Sequence, residues 1–364
     1  MNTSLPSNVN WSKQLPFNGL KKINKIDWKF TRNNIISTSS PIFDNESNLI
    51  FGANNGEIFS INKFGEMNWC TNIGEGRISS PSMDPEGNIL LVANRGNQTY
   101  IIKINSKGDK LWDNQFASEI HFEPIVDQEG DAFVATRSEL IKVDRNGHLI
   151  WNFPCRNISS NPIYDKYGNV YFSAREEPGV LISLTNEGEI RWKKEFGKCY
   201  LEYEPIMDAS GNIYFIASEL NLHSLYSIDF YGNINWKYSP TDRGIISSPA
   251  LSHDGVLVMG TTYFGVIAIN TFGQVLWETN IGHITQNTPV LDVRNYVYLH
   301  TQVKKRNYIS YIWCLSNKGQ PLWNHEFKGA MEWFHFNQEN GLLIKTVDPD
   351  KLSIEIAAYN IELV

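Results

Sequence analysis

The feature that most constrains this chain is a tryptophan that returns about every 42 residues, a period that marks a repeat architecture. Trp69, Trp112, Trp151, Trp192, Trp236, Trp277 and Trp323 each follow a glycine by four positions: Gly65, Gly108, Gly147, Gly188, Gly232, Gly273 and Gly319. Trp28 stands in the same frame with Asn24 in the glycine slot. Asparagine is the residue that best replaces glycine where φ must be positive. The marks divide the chain into eight units.

A second mark follows the first seven tryptophans by 11 to 13 residues: Pro41, Pro81, Pro124, Pro162, Pro205, Pro249 and Pro289. Three residues beyond each proline stands Asp44, Asp84, Asp127, Asp165, Asp208, Ser252 or Asp292, and a glycine usually follows three further on. An Asp-x-x-Gly segment of this kind is a tight hairpin turn, with the carboxylate capping backbone N–H groups and the glycine in the left-handed position. The full acidic spacing of a calcium loop is absent from all of them. Each unit therefore reads as four strands, A to D. In the first these are Ile35–Phe43, Leu49–Ala53, Glu57–Asn62 and Glu66–Thr71. Proline cannot donate to a ladder, so strand A, with its Ser-Ser-Pro pattern, belongs at a sheet edge. The tryptophan falls on strand D, where its ring can wedge between neighbouring sheets.

The ends of the chain complete the pattern. The eighth unit supplies strand A at Met331–Phe336, B at Leu342–Thr346 and C at Ser353–Asn360, and then stops. Lys22–Phe30 has the character of a strand D with nothing before it. The expected fold is all-β: one eight-bladed β-propeller of four-stranded antiparallel blades over residues 19–364, closed by the N-terminal strand completing the last blade. Residues 1–18, rich in Asn and Ser, read as a flexible leader.

Composition agrees, with 41% hydrophobic and 13% aromatic residues against 20% charged, a balance that suits packed sheets. A formal net charge of −7 argues against a general nucleic-acid binder, which would carry a basic stripe. No segment approaches the ~18 apolar residues of a membrane helix. The first 19 residues lack the basic-then-apolar layout of a secretory signal, so a cytoplasmic monomer is expected. Cys70, Cys155, Cys199 and Cys314 are scattered, which supports neither zinc ligation nor a redox dithiol.

Taken together, the Gly-x-x-x-Trp strand, the Ser-Ser-Pro strand and the Asp-x-x-Gly turn resemble the PQQ-like (quinoprotein) propeller repeat, over about residues 20 to 361. That repeat builds quinoprotein alcohol dehydrogenases and the BamB-type outer-membrane assembly lipoproteins. The resemblance implies a fold more than an activity, because its motif residues are structural. Quinoprotein enzymes hold PQQ against a disulfide of adjacent cysteines. This sequence has no neighbouring cysteines, so no cofactor and no metal is expected.

Function is to be sought where the units differ. The D-to-A and B-to-C connections share one end of the sheets, and loops there vary freely. Most units place Ser, Thr or Asn before the proline, but three depart: His121-Phe122-Glu123, Glu202-Tyr203-Glu204 and Glu332-Trp333-Phe334-His335. Glu123, Glu204, His121, Glu332 and His335 are the candidates for acid–base chemistry. Arg77, Arg156, Tyr203, Arg243 and Trp333 are candidates for binding a polar ligand, with arginine forks pairing carboxylate or phosphate. His223, His253, His283 and His325 read as surface residues, and Lys304-Lys305-Arg306 as a basic loop tip. The first reading is a noncatalytic scaffold or binding module that meets a protein or a polar small molecule, with no nucleic acid and no membrane. The alternative is an enzyme of hydrolase, lyase or cyclase type acting in the central funnel.

Overall fold

The computed structural model describes residues 21–35, 38–74, 76–95, 98–116, 120, 122–176, 178–201, 203–219, 222–240, 244–262, 265–282, 287–292, 294–304, 308–336, 341–348 and 353–363. The expected leader, His121, Glu202, Arg243, His283, Lys305 and Arg306 lie outside the described residues.

The strands assemble into eight antiparallel sheets. In the first, Ile42–Phe43, Leu49–Gly52, Glu57–Ile61 and Met67–Asn72 pair in chain order. The last is composite: Ala330–Phe336, Leu342–Asp348 and Ser353–Leu363 continue into Lys21–Asn33, so the first strand of the chain is strand D of the final blade. The fold is an eight-bladed β-propeller of four-stranded blades. By internal packing the chain divides into two compact units. One holds Ile163–Met331, the fourth to seventh blades; the other holds Asn24–Pro162 with Glu332–Asn360, the first three blades and the composite one.

Burial follows strand position. Strand B is buried at every residue in Leu49–Gly52, Ala132–Ala135 and Val170–Ala174, because both of its faces are covered. Strand D alternates, as in Met67–Asn72 and Val275–Asn280, with the tryptophan at a half-buried position. Strand A is where the structure corrects the sequence reading. The expected continuous Ile35–Phe43 is a bridge at Thr38 followed by the short Ile42–Phe43. Thr38 faces Ala53 and Ile42 faces Ile50, which leaves Ser39, Ser40 and Pro41 opposite only Phe51 and Gly52. This is a bulge of one residue. The Ser39 backbone donates to the Gly52 carbonyl, and the Gly52 N–H donates to Ser39 Oγ at 2.9 Å. Ser79 with Val92 and Ser247 with Gly260 repeat the side-chain bond at 2.9 Å. The serine of Ser-Ser-Pro is thus a substitute acceptor for a ladder the proline interrupts.

Within each compact unit, the tryptophan ties its blade to the next C-to-D turn. Nε1 of Trp28, Trp69, Trp112, Trp192, Trp236 and Trp277 donates to the carbonyls of Lys63, Ser106, Arg145, Phe230, Thr271 and Asn317 at 2.7–3.1 Å. The glycine of that turn is required twice over. At Gly65, for example, φ is +82°, and a Cβ would stand 2.6 Å from the Trp28 ring.

The turn aspartates serve the interior of each blade. Oδ1 of Asp84 accepts the N–H groups of Glu86 and Asn88, while Oδ2 takes the buried Lys103 ammonium at 2.8 Å. Burial would raise this carboxyl, but hydrogen bonds from Lys103 and Asn88 outweigh it and hold it below the ordinary carboxylate range. In the third blade Lys142 stands 3.4 Å from Asp127, and there burial wins and the carboxyl is raised. The fourth and fifth blades use another donor: the hydroxyls of Tyr171 and Tyr214 meet Asp165 and Asp208 at 2.8 Å.

Candidate functional site

In the unit holding the first three blades, Glu123 is half-buried just before Pro124 and accepts the Asn161 amide at 3.2 Å. That amide belongs to the Ser-Asn-Pro bulge of the next repeat, so the departure in the third unit is answered by a neighbouring bulge residue. Arg77 is exposed at the start of strand A of the second blade, its backbone paired with Asn94. Arg156 is exposed in the turn after Leu149–Pro154. The adjacent Asn157 takes φ 55° and donates its N–H to the Arg137 carbonyl at 2.8 Å.

The composite blade gathers three of the candidates on one strand. Glu332 is partly exposed and forms an ion pair with Lys345, whose side chain is fully buried on strand B. Burial lowers the Lys345 ammonium below the ordinary lysine range, and Glu332 works against that shift. Trp333 is a core side chain, packed with Phe51, Leu343 and Ile354, and its indole nitrogen is buried without a hydrogen-bond partner. His335 is half-buried, its ring 5.3 Å from Trp333 and 6.5 Å from Phe43.

In the other unit, Tyr203 and Glu204 are half-buried ahead of Pro205. The Tyr203 ring packs against Ile206, Ile245 and Leu251, 6.3 Å from the ring of His223. His223 was expected at the surface, but it sits half-buried on strand C and its Nδ1 meets the Ile245 carbonyl. His253 is exposed in its turn, and His325 is half-buried on strand D.

Two buried titratable residues escaped the sequence reading. Lys345 and His300 occupy the fourth position of strand B, where earlier blades carry Gly52, Val92 and Ala135. The signal was a polar residue inside an apolar run, as in Leu-Leu-Ile-Lys and Val-Tyr-Leu-His. His300 is 3% exposed, and burial pushes its imidazole down to about 4.

The described residues thus include exposed arginines, Arg77 and Arg156, and two candidate carboxylates, Glu123 and Glu332, that already have partners. Cys70, Cys155, Cys199 and Cys314 are free thiols and lie in different units of the repeat. They do not fit a quinone clamp of adjacent cysteines.

The family model described as outer membrane protein assembly factor BamB matches residues 21–153 and 136–340. The chain belongs to this family. No curated protein matches it. Among solved structures, BamB from Moraxella catarrhalis is similar over 93% of this chain and all of its own, with a TM-score of 0.70 and 14% identity. The C-terminal WD40 domain of Sif2 is similar over 93% of this chain and 99% of its own, with a TM-score of 0.64 and 12% identity. A europium-containing methanol dehydrogenase is similar over 72% of this chain and 73% of its own, with a TM-score of 0.57 and 10% identity. At such identities these likenesses speak for the propeller fold. Within the BamB-like family, the repeat residues of this chain are therefore structural, and the departures from the repeat are where its individuality lies.

Proposed function

We propose that this BamB-like propeller is a noncatalytic binding module that presents the end built by its D-to-A and B-to-C connections to a protein partner. The observation that carries the reading is the state of the candidate acids. Glu332 is taken up by the Lys345 ammonium and Glu123 by the Asn161 amide, whereas Arg77 and Arg156 extend into solvent. Exposed guanidinium forks, one at a strand start and one in a turn, suit recognition of carboxylates on a partner surface. The family description, an assembly factor for other proteins, points the same way. No cofactor and no metal is part of this reading.

The test is site-specific photo-crosslinking in cells, with the reactive residue placed at Arg77, at Arg156, or at Asp113 on an outer strand as control. The reading expects a discrete protein adduct from the first two positions that is absent from the third, and lost when the neighbouring arginine is replaced by glutamate. Identical adduct patterns from all three positions would overturn it.

A further inference from the structure

The opposite end of the sheets, where the A-to-B and C-to-D turns lie, holds a cavity of about 760 Å³ between the first and second blades. Asp44, Asn48, Ser60 and Asn68 line it. Carboxylates outnumber cations in the lining, with Asp44, Glu46 and Glu86 against Lys107.

The reason for the cavity emerges from comparing blades. Asp44 repeats the turn geometry: Oδ1 accepts the N–H groups of Glu46 and Asn48, and Oδ2 accepts the Asn48 amide at 2.8 Å. In other blades Oδ2 receives a further donor. It is an ammonium for Asp84 (Lys103, 2.8 Å) and Asp127 (Lys142, 3.4 Å), and a phenol for Asp165, Asp208 and Asp292 (Tyr171, Tyr214 and Tyr298, 2.8–3.4 Å). Those donors come from a cross-strand pair: Leu90 with Lys103, Phe133 with Lys142, Tyr171 with Ser183, Tyr214 with Ser227. The first blade places Ile50 opposite Ser60 at the same register. Neither side chain supplies the donor. Ser60 accepts only the Asn68 amide, at 3.3 Å, whereas its equivalent Ser183 accepts the Arg191 guanidinium at 2.9 Å. Among the described residues, the first blade thus keeps the acceptors and lacks the further donor, which is an ammonium in the neighbouring second blade.

We propose that this cavity is a binding site for an organic primary ammonium group, seated on Asp44 Oδ2 and Ser60 Oγ as Lys103 is seated on Asp84. The volume falls in the range of small-ligand sites and exceeds one ammonium head, so the group arrives on an aliphatic stem. Free diamines and the lysine side chain of a peptide share that chemistry. The site lies at the other end of the sheets from Arg77 and Arg156 and stands independently of the function proposed above.

The test is calorimetric titration of the full chain with 1,5-diaminopentane and with N-acetyl-lysine methylamide, alongside 1,5-pentanediol and N-acetyl-norleucine methylamide as uncharged counterparts. Saturable binding by at least one amine and by neither counterpart is expected. The arm that binds more tightly identifies the source of the ammonium. Asp44→Asn should weaken binding by about tenfold or more, since it removes the charge-assisted bond. Ser60→Lys and Ile50→Tyr each build a sister-blade arrangement, so each should abolish binding while keeping or raising the melting temperature. Absence of saturable binding by both amines, equal binding of the uncharged counterparts, or full binding to Asp44→Asn overturns the proposal. Asp44→Asn and the counterparts keep it falsifiable if either filling variant fails to fold.

Discussion

Leu90 faces Lys103 across the second blade and Tyr214 faces Ser227 across the fifth, and both pairs bring one donor to a turn aspartate. Where the sixth blade replaces the aspartate with Ser252, the pair becomes Val258 with Ala268. From the second to the seventh blade, the donor and the acceptor have therefore varied together, whereas among the described residues the first blade keeps Asp44 without such a donor. Lys103→Met strands the buried Asp84 carboxylate and should cost about 3–5 kcal/mol, read from denaturant unfolding. Leu90→Tyr with Lys103→Ser should recover most of that loss; a double variant no more stable than Lys103→Met would refute the exchange. His300 gives a pH signature. Its imidazole ordinarily titrates at 6.5 and is held by burial at about 4. Between those values the unfolded chain takes up a proton that the folded one refuses, so stability is full above pH 6.5 and falls as pH drops toward 4. The contribution lost is about 3 kcal/mol. His300→Val, the residue type found at Val92, should flatten that part of the stability–pH curve, and an unchanged slope would rule the assignment out.

At the scale of elements, strands B, C and D were legible because their signals are local: alternation, Asp-x-x-Gly and the tryptophan. The place of strand A was legible too, at Met331–Phe336 most closely, but its break was not, because pairing there depends on a side chain, Ser39, that reaches across to a backbone N–H the proline-interrupted strand cannot meet. The candidate residues lie in or beside that segment, and burial of one of them, Trp333, in the core follows from packing across blades rather than from any local signal. The turns allow a paired test. Gly87 and Gly108 share nearly the same φ, +83° and +86°, but a Cβ on Gly87 meets nothing within 4 Å. On Gly108 it would stand 2.7 Å from Thr71 Oγ1 and 2.8 Å from the Trp69 ring. Gly87→Ala should cost only the backbone strain, about 1 kcal/mol. Gly108→Ala adds displacement of the indole and should cost about 2–4 kcal/mol. Equal losses in chemical denaturation would mean that the tryptophan does not lock the turn.

For the molecule as a whole, the composite blade was readable because the sequence begins with a lone strand D and ends after a strand C. The proposed partner surface was less readable, since the repeat motifs are consumed by turns, bulges and interlocks, and exposed arginines such as Arg77 and Arg156 carry no repeat signal. The repeated indole also has an energetic consequence at Trp323. Six tryptophans donate to the C-to-D turn that comes next in sequence. Trp323, on strand D of the seventh blade, differs from these six. Its Nε1 is buried without a hydrogen-bond partner. Trp69→Phe removes an exposed bond of 2.9 Å to the Ser106 carbonyl, a loss of about 0.5–1.5 kcal/mol. Trp323→Phe removes an unsatisfied donor while keeping an aromatic ring, so it should be close to neutral or stabilising. Melting temperatures of the two variants measured side by side decide the matter: a Trp323→Phe loss as large as that of Trp69→Phe would mean that the indole has a partner.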